Sequence, residues 1–446
     1  VTTGQDKRRL RPVDRDILRL AVPALGALMA EPLFLLADSA MIGHLGVVPL
    51  AGLGVASAVL QTIIGLMVFL AYATTPAVAR RLGHGDERGA VSLGVDGLWL
   101  SLGLGVVIGV AGWFLSPTLV GLFGATDAVA QQADTYLGIS MLGIPAMLLV
   151  FGATGLLRGL QDTTTPLVVA GAGFAANIGL NFLFIYGLGL GIAGSAIGTV
   201  IAQWGMVVAY LVVVLRHARR TGASLRPHRA GLGGAARSGG WLFLRTVSLR
   251  AAMLIAVFVA TDLGTDELAG FQLVMTLFAT LAFALDALAI AAQALVGKGL
   301  GAGDVGGVRA VLVRCLQWGV GSGIVLGLVV ALASPVIGLV FTSDPKLAAL
   351  IVPALIVLAV TTPLGGIVFV LDGVLIGAGD AKYLAITGLL NTIVFLPFAL
   401  AVLAWAPGGS TGLTWLALAF FVGYLGARAT TLGLRARTSG WMRTGI

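Results

Sequence analysis

Cysteine is almost missing from this chain: Cys315 is the only one in 446 residues. A single thiol makes no internal disulfide and no cysteine-based metal site, and its place in an apolar run fits a packing role. Charge is scarce as well. Asp, Glu, Lys and Arg together make up 10% of the residues, too few to present a charged surface to water on all sides. The four histidines, His44, His84, His217 and His228, are too scattered for a metal cluster. The Gly-rich stretches "GHGDERGA" and "GLGAGD" lack G-x-x-x-x-G-K-[ST], so nothing supports a phosphate-cradling loop or ATP drive. HExxH is absent, as are GxSxG near a buried His and paired intramembrane aspartates in a short motif, so an intramembrane enzyme is not expected. Glycine reaches 65 residues without a G-x-y period and without proline enrichment, which excludes collagen and flexible-linker readings.

Apolar residues fill what is left. They amount to 58% of the chain, with a mean hydropathy of +1.02, the composition of an integral membrane protein. Twelve stretches are long enough to cross about 30 Å of hydrocarbon: 16–43, 50–79, 90–116, 128–157, 164–187, 191–215, 239–261, 268–297, 306–333, 347–376, 380–405 and 411–434. The net charge of +8 does not point to nucleic acid, because the basic residues fall in bursts between spans. These bursts are Lys7 to Arg19, Arg80 to Arg88, Arg216 to Arg237, Lys298 to Arg314 and Arg428 to Arg443. With both termini in the cytoplasm, the outward loops hold a single Lys or Arg, Lys346, which is a positive-inside pattern. No cleavable signal is expected, since the first apolar stretch is too long and follows a basic tail.

The chain also repeats itself. "HLGVVPLAGL" at 44–53 and "DLGTDELAGF" at 262–271 share L-G-x-x-x-L-A-G at an offset of 218 residues. The offset persists without a gap: Gly83, Gly85 and Asp86 match Gly301, Gly303 and Asp304, and Gly103, Gly105 and Gly109 match Gly321, Gly323 and Gly327. Ser116, Pro117 and Phe123 match Ser334, Pro335 and Phe341; Pro145, Gly155, Gly159 and Asp162 match Pro363, Gly373, Gly377 and Asp380. Shared Pro, Gly and Asp at one register mean a repeat. Six helices per unit is an even number, so the repeats are parallel, and two six-helix lobes with a cavity between them are expected. The expected organisation is a cytoplasmic tail at 1–15, a first lobe at 16–215, a cytoplasmic linker at 216–238, a second lobe at 239–434 and a cytoplasmic tail at 435–446.

Four strings carry a family resemblance: "RDILRLAVPALGALMAEPLFLLADSAMIGHLGVVPLAGLG", "GLLRGLQDTTTPL", "ALDALAIAAQALVGKGLGAGD" and "LDGVLIGAGDA". They closely resemble the multidrug and toxic compound extrusion (MATE) family, specifically its DinF-like branch, and the resemblance covers almost the whole chain. It implies an all-α membrane protein of two six-helix bundles, outward-facing and inward-facing states, and cation-coupled export of bulky, often cationic organic compounds.

Ionisable and amide groups inside apolar spans point to mechanism independently, because each is costly in hydrocarbon and normally faces a cavity or a partner. Asp38 lies about five residues, or roughly 8 Å, before the first outward loop. Pro23 and Pro32 upstream each remove a backbone donor, so a bend in this helix is expected. Asn177 and Asn181 in the fifth span are i,i+4 and share a face. Asn181 lies at a depth similar to Asp38, and the sixth span brings Thr199, then Gln203, past the same level. A polar pocket inside the first lobe follows, the alternative being that these groups only bond helices together. Burial favours the uncharged form of a carboxyl, which suits Asp38 to a change of charge. The resemblance implies that Asp38 is the proton-coupling aspartate and Asn177 its paired asparagine. Elsewhere in the family a second acid stands four residues after that asparagine; here the residue is Asn181, so Asp38 is expected to couple alone.

In the second lobe, Arg250 and Asp286 are each about eleven residues from the cytoplasmic ends of their spans, and Arg245 and Asp372 about four to six. Matched depths imply two intramembrane charge pairs, with a second cation site as the functional alternative. Phe34, Met67, Tyr136, Met147, Phe151, Gln203, Met253, Phe271 and Met275 are candidates for a promiscuous substrate cavity, since Met and aromatic rings repack around varied ligands; core or lipid-facing roles are the alternative. The expectation is thus a twelve-span, monomeric, proton-coupled exporter of amphipathic organic small molecules in the cell membrane, with lipid as its surroundings and no cofactor, metal or nucleic acid. Sodium coupling is the alternative for the ion, because the pocket is rich in oxygen donors. A flippase for a lipid-like or lipid-linked molecule is the alternative for the cargo.

Overall fold

The computed structural model describes residues 4–341 and 344–445. Among them every regular element is helical. In chain order these are α1 (Gly4–Gly43), α2 (Val47–Met67), α3 (Phe69–Gly83), α4 (Glu87–Gly121), α5 (Asp127–Met141), α6 (Ile144–Gly159), α7 (Thr164–Phe182), α8 (Gly191–Thr221), α9 (Arg229–Leu263), α10 (Thr265–Gly301), α11 (Val305–Phe341), α12 (Pro345–Leu350), α13 (Val352–Gly377), α14 (Ala381–Trp405), α15 (Ser410–Leu418) and α16 (Leu425–Arg437). Short π-helical turns, Leu183–Gly187 and Ala419–Tyr424, follow α7 and α15. Eleven helical stretches are long and apolar enough to cross a membrane, and the α5–α6 pair, bent by 49°, makes a twelfth if counted as one span.

The chain forms two compact units, one of Val22–Gly239 and one of Val1–Ala21 with Gly240–Gly445. It passes between them inside α1, after Ala21, and inside α9, after Gly239. Those positions are themselves 218 apart. Despite Pro23 and Pro32, α1 is one continuous helix. The stretch expected as a linker at 216–238 is mostly helical: α8 runs on to Thr221 and α9 starts at Arg229. Only 222–228 lies between, and it is docked onto α4, where the Trp99 indole donates to the Leu225 carbonyl (3.0 Å) and the His228 backbone N–H donates to Asp96 (2.8 Å). The Asp96 carboxylate sits at the start of α9, where negative charge stabilises a helix, and a Cβ on Gly231 would overlap it. In the other unit the repeat-equivalent of Asp96 is Arg314. It holds the opposite arm, pairing with Asp14 of α1, which also accepts from the Trp318 indole at 3.0 Å.

Glycine explains the close packing, and does so twice. A Cβ on Gly105 would lie 2.6 Å from the Pro145 Cα, and one on Gly323 would lie 2.6 Å from the Pro363 Cα, the equivalent contact. Gly155 and Gly159 rest against the carbonyls of Ala71 and Thr75; Gly373 and Gly377 rest against those of Ala289 and Gln293. Without side chains at these points helices approach backbone to backbone, the usual way of packing in lipid. The loops repeat too: Asp86 caps α4 through the Gly89 N–H (2.7 Å), and Asp304 accepts from the Gly307 N–H (2.8 Å). Trp441, beyond α16, is buried, and the Gly445 N–H donates to the Leu300 carbonyl at 3.2 Å, so the C-terminal stretch folds back on the end of α10.

Candidate functional site

In the unit of Val22–Gly239, Asp38 of α1 is buried together with Asn177, Asn181, Ser195, Thr199 and Tyr136. Asp38 shares a helix face with Ile42, one turn on and also fully buried, while Leu36 on the other side is exposed. Three donors converge on the carboxylate. Tyr136 of α5 gives its hydroxyl to Oδ2 at 2.9 Å, Asn181 of α7 gives Nδ2 to Oδ1 at 3.0 Å, and Ser195 of α8 donates to the same Oδ1 through a short hydrogen bond. Behind them Asn181 Nδ2 also reaches Asn177 Oδ1 (3.2 Å), and Asn177 Nδ2 donates to Thr199 Oγ1 (3.0 Å). One carboxylate is thus tied by direct bonds to α5, α7 and α8.

The local sequence makes this possible. Asn177 and Asn181 are one turn apart on α7, as are Ser195 and Thr199 on α8, so each helix offers two polar groups on one face. Gly198 leaves the space that the Asn181 amide fills. Immediately after Asn181 the helix widens into the π turn Leu183–Gly187, a form that recurs at functional sites. There Tyr186 donates to the Met41 carbonyl at 2.7 Å, fixing the end of α1 close to Asp38.

The repeat shows what is special about this pocket. The equivalents of Asp38, Tyr136, Asn177, Asn181, Ser195 and Thr199 are Ala256, Ala354, Phe395, Ala399, Leu413 and Ala417, all buried in one apolar cluster. The second unit's own polar centre lies elsewhere. Asp372 of α13 accepts from Arg245 of α9, through Nη2 and through Nε at 3.2 Å, and from Arg428 of α16 at 3.1 Å. The equivalents of Asp372 and Arg428 in the first unit are Thr154 and Tyr210, whose hydroxyls are hydrogen-bonded at 3.1 Å. Each half therefore carries a charged cluster where its twin is uncharged.

Of the residues expected from sequence, Asp38, Asn177, Asn181 and Thr199 meet in one network, and Arg245 meets Asp372. The second expected ion pair does not form: Arg250 is exposed on α9, whereas Asp286 is half-buried on α10. Tyr136, expected among cavity residues, has its hydroxyl on Asp38 instead. Phe271 and Met275 belong to the apolar core of the second unit, while Phe34, Met67, Met147, Phe151, Gln203 and Met253 are half-buried. Ser195 and Arg428 were not anticipated. Ser195 had a signal, standing one turn before Thr199; Arg428 was hidden in the basic run that ends the chain.

Twelve apolar spans in two parallel repeats, with ionisable groups buried inside each, define a polytopic helical membrane transporter. The MatE family matches the chain twice, over residues 23–183 and 243–401. The chain belongs to this family, the multidrug and toxic compound extrusion transporters. It is 30% identical over 442 residues to Protein DETOXIFICATION 45, chloroplastic, of Arabidopsis thaliana, covering 93% of this chain and 77% of that one. It is also 30% identical to DNA damage-inducible protein F of Escherichia coli K12, over 93% and 90% of the two chains. Among solved structures, the Vibrio cholerae MATE transporter VcmN in its bent form superposes with a TM-score of 0.87 at 22% identity, over 96% and 97% of the two chains.

Proposed function

We propose that this chain is a proton-coupled exporter of amphipathic organic compounds, with Asp38 as the group that gains and loses the proton. The observation that carries the reading is the direction of the hydrogen bonds: Tyr136, Asn181 and Ser195 all present hydrogens to Asp38. A sodium ion needs several lone pairs around it and gains most from anionic ligands. Here one carboxylate is surrounded by donors, and the residue where relatives place a second acid is Asn181. A proton needs one basic oxygen. Its arrival cancels the Asp38 charge and removes the penalty of keeping a carboxylate in a low-dielectric interior, so the two charge states favour different helix arrangements. Coupling rests on one half because the equivalent positions of the other are apolar.

For cargo, the relative in Pseudomonas putida, 29% identical over 90% of this chain, bears the name probable multidrug resistance protein NorM. That supports bulky organic substrates. The bursts of basic residues support a cytoplasmic location for both termini by the positive-inside rule, and a cell-membrane exporter working as a monomer is the corresponding reading. The test is dye efflux from proteoliposomes under an imposed pH gradient and, separately, a sodium gradient. The pH gradient drives efflux and Asp38→Asn abolishes it with the protein still inserted; wild-type rates in Asp38→Asn contradict the assignment.

A further inference from the structure

With Asp38 as the protonated group, as proposed above, its neighbours must serve two charge states. The bonding described suits only the ionised one. Asn181 Nδ2 carries two hydrogens yet faces three acceptors: Asp38 Oδ1 at 3.0 Å, Asn177 Oδ1 at 3.2 Å and Ser195 Oγ at 3.4 Å. The other end of the same amide is idle. Asn181 Oδ1 is buried without a hydrogen-bond partner, lodged where Gly198 has no side chain. A buried acceptor left unpaired is rare and costly.

Adding a proton to Asp38 reverses the demand. The new O–H needs an acceptor, while three donors still point at the carboxyl. Ser195 accepts only if its own hydrogen goes elsewhere, and the side-chain atom beside it, Asn181 Nδ2, is itself a donor. Turning the Asn181 amide over gives the new proton an acceptor, because it brings the idle Oδ1 to face Asp38, Ser195 and Asn177, while Nδ2 takes the place beside Gly198 that Oδ1 held. A primary amide offers donors at one end and an acceptor at the other, and its terminal torsion is broad and roughly two-fold. Asn177 then turns as well: its Nδ2 moves from Thr199 to Asn181 Oδ1, and the Thr199 hydroxyl donates to Asn177 Oδ1. Tyr136 is the one titratable side chain among the partners of Asp38; α7 and α8 contribute only amides and hydroxyls to this network.

We propose that Asn181 is a positioning residue whose amide reverses each time Asp38 changes charge, carrying Asn177 with it and passing the charge state of α1 to α7 and α8. An acid at position 181 would titrate beside Asp38; an amide changes its bonding without changing its charge.

The chain has three asparagines, Asn177, Asn181 and Asn391, so labelling all of them leaves little background. The experiment is infrared difference spectroscopy, low pH minus high pH, on the purified full chain in detergent, with and without 13C at the asparagine side-chain carbonyl. The expected spectrum holds a protonated-carboxyl band that disappears in Asp38→Asn. It also holds label-sensitive amide bands that titrate with the same midpoint and disappear in both Asp38→Asn and Asn181→Leu. Asn181→Leu keeps the carboxyl band and loses about tenfold or more of pH-driven efflux. A carboxyl band from Asp38 with no label-sensitive amide change at its midpoint overturns the amide reversal and leaves proton coupling intact. A carboxyl band that survives Asp38→Asn overturns the protonation reading itself, and the reversal with it. Labelled wild-type protein answers the question even if Asn181→Leu does not fold.

Discussion

Asp372 holds two guanidinium groups, and removing its charge has a cost that the geometry ranks against a control. The side chains of Asp372, Arg245 and Arg428 are 9%, 10% and 12% exposed, so none of the three relies on water. At the 3.1 Å that separates Asp372 from Arg428, and with an effective dielectric constant of about 20, one such pair attracts by roughly 5 kcal/mol before desolvation is counted. Asp372→Asn removes both attractions and leaves two like charges facing a neutral amide. Breaking a buried pair in this way costs about 3–5 kcal/mol. Arg428→Met removes one attraction together with the desolvation of its own charge, and Asp372 keeps Arg245; the net cost is about 0–2 kcal/mol. A gap of about 3 kcal/mol corresponds to roughly 6–12 °C in midpoint for a unit of this size. Thermal unfolding of the purified variants in one detergent, followed by loss of the monodisperse peak, measures it. Arg428→Met as damaging as Asp372→Asn would refute charge balance as the reason this cluster is stable.

The glycine contacts predict a matched pair of results. Gly105→Ala and Gly323→Ala each push a methyl to 2.6 Å from a proline Cα and lose about 1–3 kcal/mol, whereas Gly103→Ala and Gly321→Ala meet nothing within 4 Å; equal melting shifts across the four variants contradict the packing account. At the α4 start, between two spans, the Gly89 N–H and then the Arg81 guanidinium hold the Asp86 carboxyl below its ordinary value of 3.8. A depressed folded-state value means that this stabilisation is present above the unfolded value and lost as pH falls through the lowered one. Asp86→Ala therefore costs about 1 kcal/mol at neutral pH, a difference that shrinks as the solution is acidified below pH 3.8, and a melting series against pH reads both.

The helices and the repeat were legible because lipid imposes a simple rule, about twenty apolar residues per span, and because glycine, proline and aspartate mark packing points and caps at fixed positions. The pocket was largely legible through depth and the i,i+4 spacing of Asn177 and Asn181. Depth alone misled at Arg250. It lies five residues after Arg245, about 140° around the helix at 100° per residue, so one side chain faces the core and the other does not. Tyr136 looked like an apolar ring, and nothing in a single sequence says where its hydroxyl ends. The Gly-rich stretch within 216–238 reads as a linker, since glycine costs about 1 kcal/mol in a helix; Asp96, more than a hundred residues upstream, accepts from the His228 N–H at the start of α9 and offsets part of that cost.

Proton binding at Asp38 in competition with cargo, as proposed, is tested most directly by one titration. Substrate affinity of the purified protein is measured against pH, and at fixed pH with sodium exchanged for choline at constant ionic strength, in wild type and Asp38→Asn. With Asp38 as the proton site, affinity weakens as pH falls through a single midpoint, the profile is flat in Asp38→Asn, and sodium changes little in either. A strong sodium dependence that persists in Asp38→Asn would contradict this assignment and move the coupling site away from this pocket.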